Sequence, residues 1–303
     1  MPIQPRYLLA PAALAGLVPL FFVDLGPWRR MFAPEFHVFG HLLLFAVLGW
    51  LFLRLPVMQR YGFLTRAALT LTAALALGTA IELIQPYFGR TAAVRDVWQN
   101  ALGAAIAVVL HAPAGTRRRL LASGLGVILA LELYIPITSI WDRGVARNQF
   151  PTLATFSTPF EHRRWTRGTQ DDAFARTGNR SLRVDLEPAR YAGTTLRRSL
   201  GDWHGFDSLA FSVYNASHDP LTVTVSVWDH HHRNNGGPYA DRFNQRYQLL
   251  PGWNDIRIPL DAIRTAPAER TMALDDMAEF AVFTTNLEEP RTIYLDAVRL
   301  ERD

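Results

Sequence analysis

The chain has 303 residues, 49% of them hydrophobic and 19% charged, with a formal net charge of +4 and no cysteine. No disulfide can staple an exported part of it, although about 150 residues are enough for a core that folds without one. The arginines are scattered and no basic run is interleaved with aromatics, which excludes a nucleic-acid surface.

The mean hydropathy of +0.04 averages two unlike halves. Up to about Trp141 the chain is mostly Leu, Ala, Val, Phe and Gly, whereas from Asp142 onward charged residues, Asn, Thr and Trp are spread through short alternating runs. Residues 1–141 therefore read as a multi-pass α-helical membrane bundle. Residues 142–159 read as a linker, broken by Gly144, Pro151 and Pro159, and 160–303 as an all-β sandwich.

Five apolar stretches approach the roughly 20 residues a bilayer core demands: 7–23, 36–53, 67–85, 97–111 and 120–140. The first has the form of a signal peptide's apolar core as well, but the later spans favour a retained anchor. The fourth is short and begins with polar residues. Arg6, Arg54, Arg60, Arg66, Arg117, Arg118 and Arg119 fall on one side of this arrangement, and Arg29, Arg30, Arg90 and Arg95 on the other. The arginine-rich side is expected to be cytoplasmic. The loop around Arg90 then faces outward, and five helices carry the C-terminal domain to the outer side of the plasma (inner) membrane, with the lipid bilayer as the first half's partner.

Where the third stretch meets the fourth, polar residues recur at helical steps. Glu82 and Gln85 are three apart, Asp96 and Asn100 four apart, so each pair shares a helical face, and Arg90 lies between the pairs. A carboxylate within a membrane segment costs on the order of 3 kcal/mol and so needs a partner or a water-filled cavity. Arg90 and Arg95 are the nearest cations in sequence.

The spacing E-x2-Q-x4-R-x5-D-x3-N-x2-G, from Glu82 to Gly103, resembles the VanZ-like family of small multi-pass membrane proteins. His41, within FHVFGHLLLF, resembles the histidine that opens that family's second helix, although His37 and Val38 stand where the family often has an acidic-basic pair. The resemblance covers roughly residues 7–140. It implies a helical membrane domain and a link to glycopeptide resistance, with no settled activity.

Three readings of His41, Glu82, Gln85, Arg90, Asp96 and Asn100 stand side by side. They can line a cavity for a lipid-linked or peptide head group, with Arg90 as a bidentate fork. They can clamp two helix ends, Asp96 serving a helix N-terminus. Glu82 and His41 can exchange protons. His37 and His41, four apart with Glu82 as a third ligand, also have metal-site spacing.

In the second half, alternating runs at 181–186, 194–200, 208–215, 221–229, 242–250, 254–260, 279–285 and 292–300 predict eight strands, with a short helix at 261–264. LTVTVSVW alternates strictly, putting Leu221, Val223, Val225 and Val227 on one face. Such a rhythm suggests a jelly-roll sandwich. The run D-W-x-GFDSLAFSVYN, then PGWNDIRIPL and a closing TIYLDAVRL, resembles the galactose-binding-like jelly rolls found among carbohydrate-binding modules.

The stretch 228–247, WDHHHRNNGGPYADRFNQRY, gathers aromatics and planar polar groups in one predicted loop. An aromatic face packs on a sugar ring while polar groups take its hydroxyls, so Trp228, His230, His232, Tyr239, Asp241, Arg242, Asn244 and Tyr247 are the candidate sugar ligands. The consecutive histidines can equally take an adventitious metal or stay solvated. Trp203, Trp253 and Phe211 are expected in the core. Glu161 and Asp296 offer oxygen ligands for a structural calcium ion.

The leading expectation is a non-enzymatic envelope protein that anchors or senses through cell-wall or secreted polysaccharide. The rival is a membrane enzyme acting on a lipid-linked or peptidoglycan substrate. No G-x-S-x-G, H-E-x-x-H or glycine-rich phosphate loop supplies a recognised chemistry.

Overall fold

The computed structural model describes residues 35–88, 91–197 and 201–302. The chain divides into two compact units, Met1–Ile140 and Trp141–Asp303. The predicted span 7–23 and Arg90 lie outside the described residues.

In the first unit, α1 (Glu35–Leu53), α2 (Phe63–Ile84) and α3 (Val94–His111) pack together, and α4 (Thr116–Gln149) begins there. A single-turn 3-10 helix, Gln85–Phe88, extends α2. Small residues set the spacing of α1 and α3. A Cβ on Gly103 would stand 2.6 Å from the Leu42 carbonyl oxygen, and one on Gly49 would stand 3.1 Å from the Ala107 Cβ. Backbones that approach this closely are the usual basis of helix pairing in lipid, where dispersion contacts replace the hydrophobic effect. Leu44, Phe45, Ala74 and Ala104 fill the space between the three helices.

Five spans are not supported. Among the described residues, two helices are long and apolar enough to cross a membrane, Phe63–Phe88 and Thr116–Gln149, and the apolar stretch His37–Leu53 is shorter. The polar start of α3, with Arg95, Asp96, Gln99 and Asn100, keeps it out of that class. Large apolar side chains on the two long helices point outward, among them Leu64, Leu83, Leu120 and Leu131.

Part of the expected linker is regular structure instead. Helix α4 runs to Gln149 through Gly144, and a strand follows at Thr152. Asp142 holds this stretch: its carboxylate accepts from Arg164 Nε at 2.7 Å and Nη2 at 2.8 Å, and both residues are almost wholly buried.

The second unit is a β-sandwich. One sheet is ordered β2 (Thr169–Asp171), β3 (Ser181–Leu186), β10 (Arg291–Glu301), β5 (Ser208–Asn215), β8 (Gly252–Pro259), with β1 (Thr152–Ala154) also on β10. The other is ordered β4 (Tyr191–Arg197), β9 (Met277–Thr285), β6 (Leu221–Asp229), β7 (Phe243–Leu249). From β3 to β10 the chain alternates between the sheets save for the β6–β7 hairpin, as in a jelly roll. The predicted alternation of β6 holds, with Val223, Val225 and Val227 buried against Phe211, Trp203 and Phe280. Full burial of each such side chain contributes about 1.5–3 kcal/mol. Trp253 differs from expectation. It is half-buried on the outer face, with its ring 5.3 Å from that of Tyr214.

Part of the predicted 228–247 loop is helical. HHHRN forms α5 (His230–Asn234), because Asp229 caps it by accepting from the His232 amide at 3.0 Å. The predicted short helix follows β8 as α6 (Leu260–Arg264).

Candidate functional site

Among the described residues, each unit presents a cluster of candidate residues. In the helical unit, α1 contributes His41, α2 Glu82, the following turn Gln85, and α3 Asp96 and Asn100. His41, Gln85 and Asn100 are almost completely buried, as is Glu82. His41 Nδ1 lies 2.7 Å from Asn100 Oδ1, within hydrogen-bonding distance. The opposite nitrogen, Nε2, lies 3.4 Å from Asp96 Oδ2. Glu82 Oε2 accepts the Ala93 amide at 2.7 Å, just ahead of α3, and with its amide correctly oriented Gln85 donates to both Glu82 oxygens at 3.2 Å.

The clamp reading gains a second carboxylate. Asp96 lies in the first turn of α3, as expected, and Glu82 serves the entry to the same helix, while Asp96 also faces the histidine. Glycine makes the approach possible, since a Cβ on Gly78 would stand 2.8 Å from Asn100 Nδ2. Among the described residues, His41, Glu82 and Asp96 each offer one ligand atom within 4.8 Å of the others, a set that could hold a metal ion. Glu82 and His41 are in that set as expected; His37 is not.

The sequence did not single out Glu132 of α4, which accepts from Gln99 Nε2 at 2.8 Å and Arg95 Nε at 3.1 Å. Its signal was an acidic residue alone in an apolar run.

In the sandwich, the outer face of the β4–β9–β6–β7 sheet collects half of the predicted sugar residues. Trp228 is half-buried at the end of β6, and the Arg242 guanidinium lies 5.7 Å from its ring centroid and 5.4 Å from that of Tyr239. Tyr239 is 72% exposed. Asn244, opposite Ser226, accepts that hydroxyl.

Cross-strand register extends the face beyond the predicted loop. Arg197, Glu279 and Trp228 form one row, and Gly193, Phe283, Thr224 and Arg246 another. Four residues along a strand separate Trp228 from Thr224, roughly 14 Å. Tyr191 meets Phe283 at 6.1 Å between ring centroids. Phe283 and Tyr191 were missed, because the strand was expected at 194–200 and begins at Tyr191 instead; this places Gly193 inside it, where a Cβ would stand 2.4 Å from the Phe283 Cβ.

The other four predicted sugar residues have different work. His232 is buried, His230 Nδ1 faces the Asp276 carbonyl at 3.0 Å, and Tyr247 packs against the core. Asp241 joins an ion-pair network in which Arg270 Nη2 donates to Asp241 Oδ2 at 2.9 Å and to Asp229 Oδ1 at 2.8 Å. Burial alone would raise the Asp229 carboxyl, but Arg270 and the amides of His232 and Ala273 outweigh it and hold it below the ordinary range. Arg270 likewise depresses Asp241. Burial, with the Arg242 charge, pushes the His232 imidazole down against the pull of Asp241.

The calcium pair is corrected too. Glu161 accepts from the amides of Thr155 at 3.0 Å and Thr158 at 3.1 Å. Asp296 accepts from the amides of Arg176 at 2.7 Å, Thr177 at 2.8 Å and Ala297 at 2.6 Å. N–H donors fill the coordination positions of both carboxylates, which tie down separate loops.

Residues 9–114 match the VanZ/LLP1 family model. The polar spacing from Glu82 to Gly103, with His41 before it, lies inside that match. Similar solved structures include an exo-beta-agarase at 12% identity and TM-score 0.41, with 50% of this chain and 25% of that one covered. A family 11 carbohydrate-binding module from Clostridium thermocellum, in complex with a beta-1,3-1,4-mixed-linked tetrasaccharide, is 14% identical at TM-score 0.37, covering 46% and 89%. A non-crystalline cellulose specific module, CBM28, is 14% identical at TM-score 0.35, covering 50% and 93%. No curated protein matches the chain.

Proposed function

We propose that this is an integral membrane protein of the cell envelope whose sandwich lies on the outer side and holds a cell-wall or secreted glycan without transforming it. The observation that carries the reading is the outer face of the β4–β9–β6–β7 sheet. Trp228, Tyr239 and Arg242 stand at one end, Phe283, Tyr191 and Arg246 at the other, and the Thr195 hydroxyl and the Asn244 amide lie between them. Aromatic faces bracketing hydrogen-bonding groups suit a sugar chain, whose rings offer an apolar face and a hydroxyl edge. The exposed apolar flanks of α2 and α4 support a lipid surround. The VanZ-like resemblance extends the proposal to glycopeptide resistance, which a change in glycopeptide sensitivity on gene deletion would support.

The test is retention of the detergent-solubilised chain on immobilised polysaccharides, neutral and amino-sugar polymers among them. Kd values in the roughly millimolar to micromolar range are expected, with Tyr239→Ala and Trp228→Ala each abolishing retention while the fold is kept. A folded chain that no polymer retards overturns the glycan reading.

A second reading rests on His41, Glu82 and Asp96, whose donor atoms converge within 4.8 Å. Buried acid and base groups in contact suit proton transfer on a lipid-linked or peptidoglycan substrate. Glu82→Gln and Asp96→Asn that leave protein abundance normal yet abolish the cellular phenotype, when Leu83→Ala does not, would favour it over the clamp.

A further inference from the structure

The opposite face of the sandwich carries a groove unrelated to the Trp228 surface. It lies on the outer side of the sheet containing β10, β5 and β8 and measures about 550 Å³, within the range of ligand pockets. Its floor is set by register, for Arg257 on β8 and Arg299 on β10 both stand directly opposite Ala210 on β5. Neighbouring strands are about 4.8 Å apart, so the two arginine backbones straddle a trough roughly 10 Å wide with one methyl group between them. Like charges in one row repel. Glu301 bridges them, its carboxylate 3.2 Å from Arg257 Nε and 2.5 Å from Arg299 Nη2.

The groove owes its shape to a distortion in β10. The strand bulges between Asp296 and Arg299, and Ala297 there has a φ of +55°, a conformation uncommon outside glycine that concentrates at functional sites. The buried Asp296 carboxylate takes the amides of Arg176 and Thr177, laying that segment over the sheet. Arg176 is thereby carried to the groove, where its Nη2 lies 2.6 Å from Asp255 Oδ2. Guanidiniums outnumber carboxylates along the walls, since Arg176, Arg257 and Arg299 face Asp255 and Glu301.

From this geometry we infer that the groove is a second binding site, for a ligand bearing an oxyanion such as a uronate carboxylate or a sugar phosphate. The anion is held by Arg257 and Arg299 in the position the Glu301 carboxylate occupies. Paired guanidinium forks suit either oxyanion. The site is independent of the neutral-glycan reading, because no residue is shared with the Trp228 face.

Titration of the full chain in detergent with oligogalacturonate, a sugar phosphate and a neutral glucan oligomer tests it. At least one of the two anionic probes should bind more tightly than the glucan. Arg257→Ala and Arg299→Ala should each weaken anion binding about tenfold or more, and Tyr239→Ala should leave it unchanged. Removing the competing carboxylate by Glu301→Gln should strengthen it. Melting temperatures close to the parent's would show that the arginine variants are folded, and Arg257→Lys serves in place of any that is not, since it keeps the charge but loses the fork and should still weaken binding. Whichever anion responds identifies the source. Equal affinity for anionic and neutral probes, or anion binding indifferent to both arginines, would overturn the site.

Discussion

His41 on α1 presents Nδ1 to the Asn100 side chain of α3 at 2.7 Å and Nε2 to Asp96, one helical turn earlier on α3, at 3.4 Å. One imidazole thus spans two positions of a neighbouring helix, and its orientation depends on the amide oxygen. Replacing Asn100 by Leu removes that polar partner from a buried ring nitrogen, at a cost of about 1–3 kcal/mol. Thermal unfolding of the chain in detergent should show a lowered Tm for Asn100→Leu, whereas Leu43→Ala, at a residue 58% exposed on α1, should melt close to the parent. Equal Tm values for parent and Asn100→Leu would mean that the contact contributes nothing.

Gly103 permits the close crossing of α1 and α3. Its substituent would meet backbone at Leu42 and Ala46, 2.6 and 3.1 Å away, and backbone yields less readily than a side-chain tip. Gly103→Ala should therefore cost about 1–3 kcal/mol through overpacking. Gly124→Ala, where a Cβ meets nothing within 4 Å, should be tolerated. Yields of folded, monodisperse protein compare the two.

The Asp229–Arg270–Asp241 network should give the sandwich an acid-sensitive edge. Both carboxyls are held below their ordinary range, so the unfolded chain takes up their protons first. Their stabilisation is present above about pH 4 and lost as pH falls through the native values. His232, also depressed, adds a shallower loss that begins earlier, as pH falls below about 6.5, because protonation again favours the unfolded chain. Arg270→Ala leaves the wholly buried Asp229 without its cation, at a cost of about 3 kcal/mol. Denaturant unfolding at pH 7 should show that loss, and the variant's stability should fall less steeply between pH 5 and 3, flanked by the values above. An acid limb unchanged by the substitution would place the sensitivity elsewhere.

Much of this was legible before folding. Strict alternation gave β6 its inward valines, and the step from Glu82 through Asn100 marked residues that do gather around His41. What escaped depended on contacts distant in sequence. Asp142 and Arg164 are 22 residues apart, and their ion pair joins the end of α4, expected as a linker, to the turn before β2. Arg270 lies 41 residues from Asp229, so no local pattern revealed that Asp241 and His232 belong to a buried network rather than to a sugar face. Trp253 read as core from its residue type alone, but alternation from the buried Ile256 and Ile258 puts it on the outer face. Five spans were counted from apolar length, which cannot separate a crossing helix from one packed beside it.

The proposed placement of the sandwich on the outer side would give it access to an envelope glycan, and a sequence without cysteine makes that placement directly measurable. Single cysteines would be introduced at Glu288, exposed between β9 and β10, and at Ser123, within the apolar part of α4, and intact cells treated with a membrane-impermeant thiol reagent. Glu288→Cys should label without breaking the membrane, and Ser123→Cys should stay protected. Protection of Glu288→Cys until the cells are lysed would put the sandwich in the cytoplasm and contradict the proposal that it holds a cell-wall or secreted glycan.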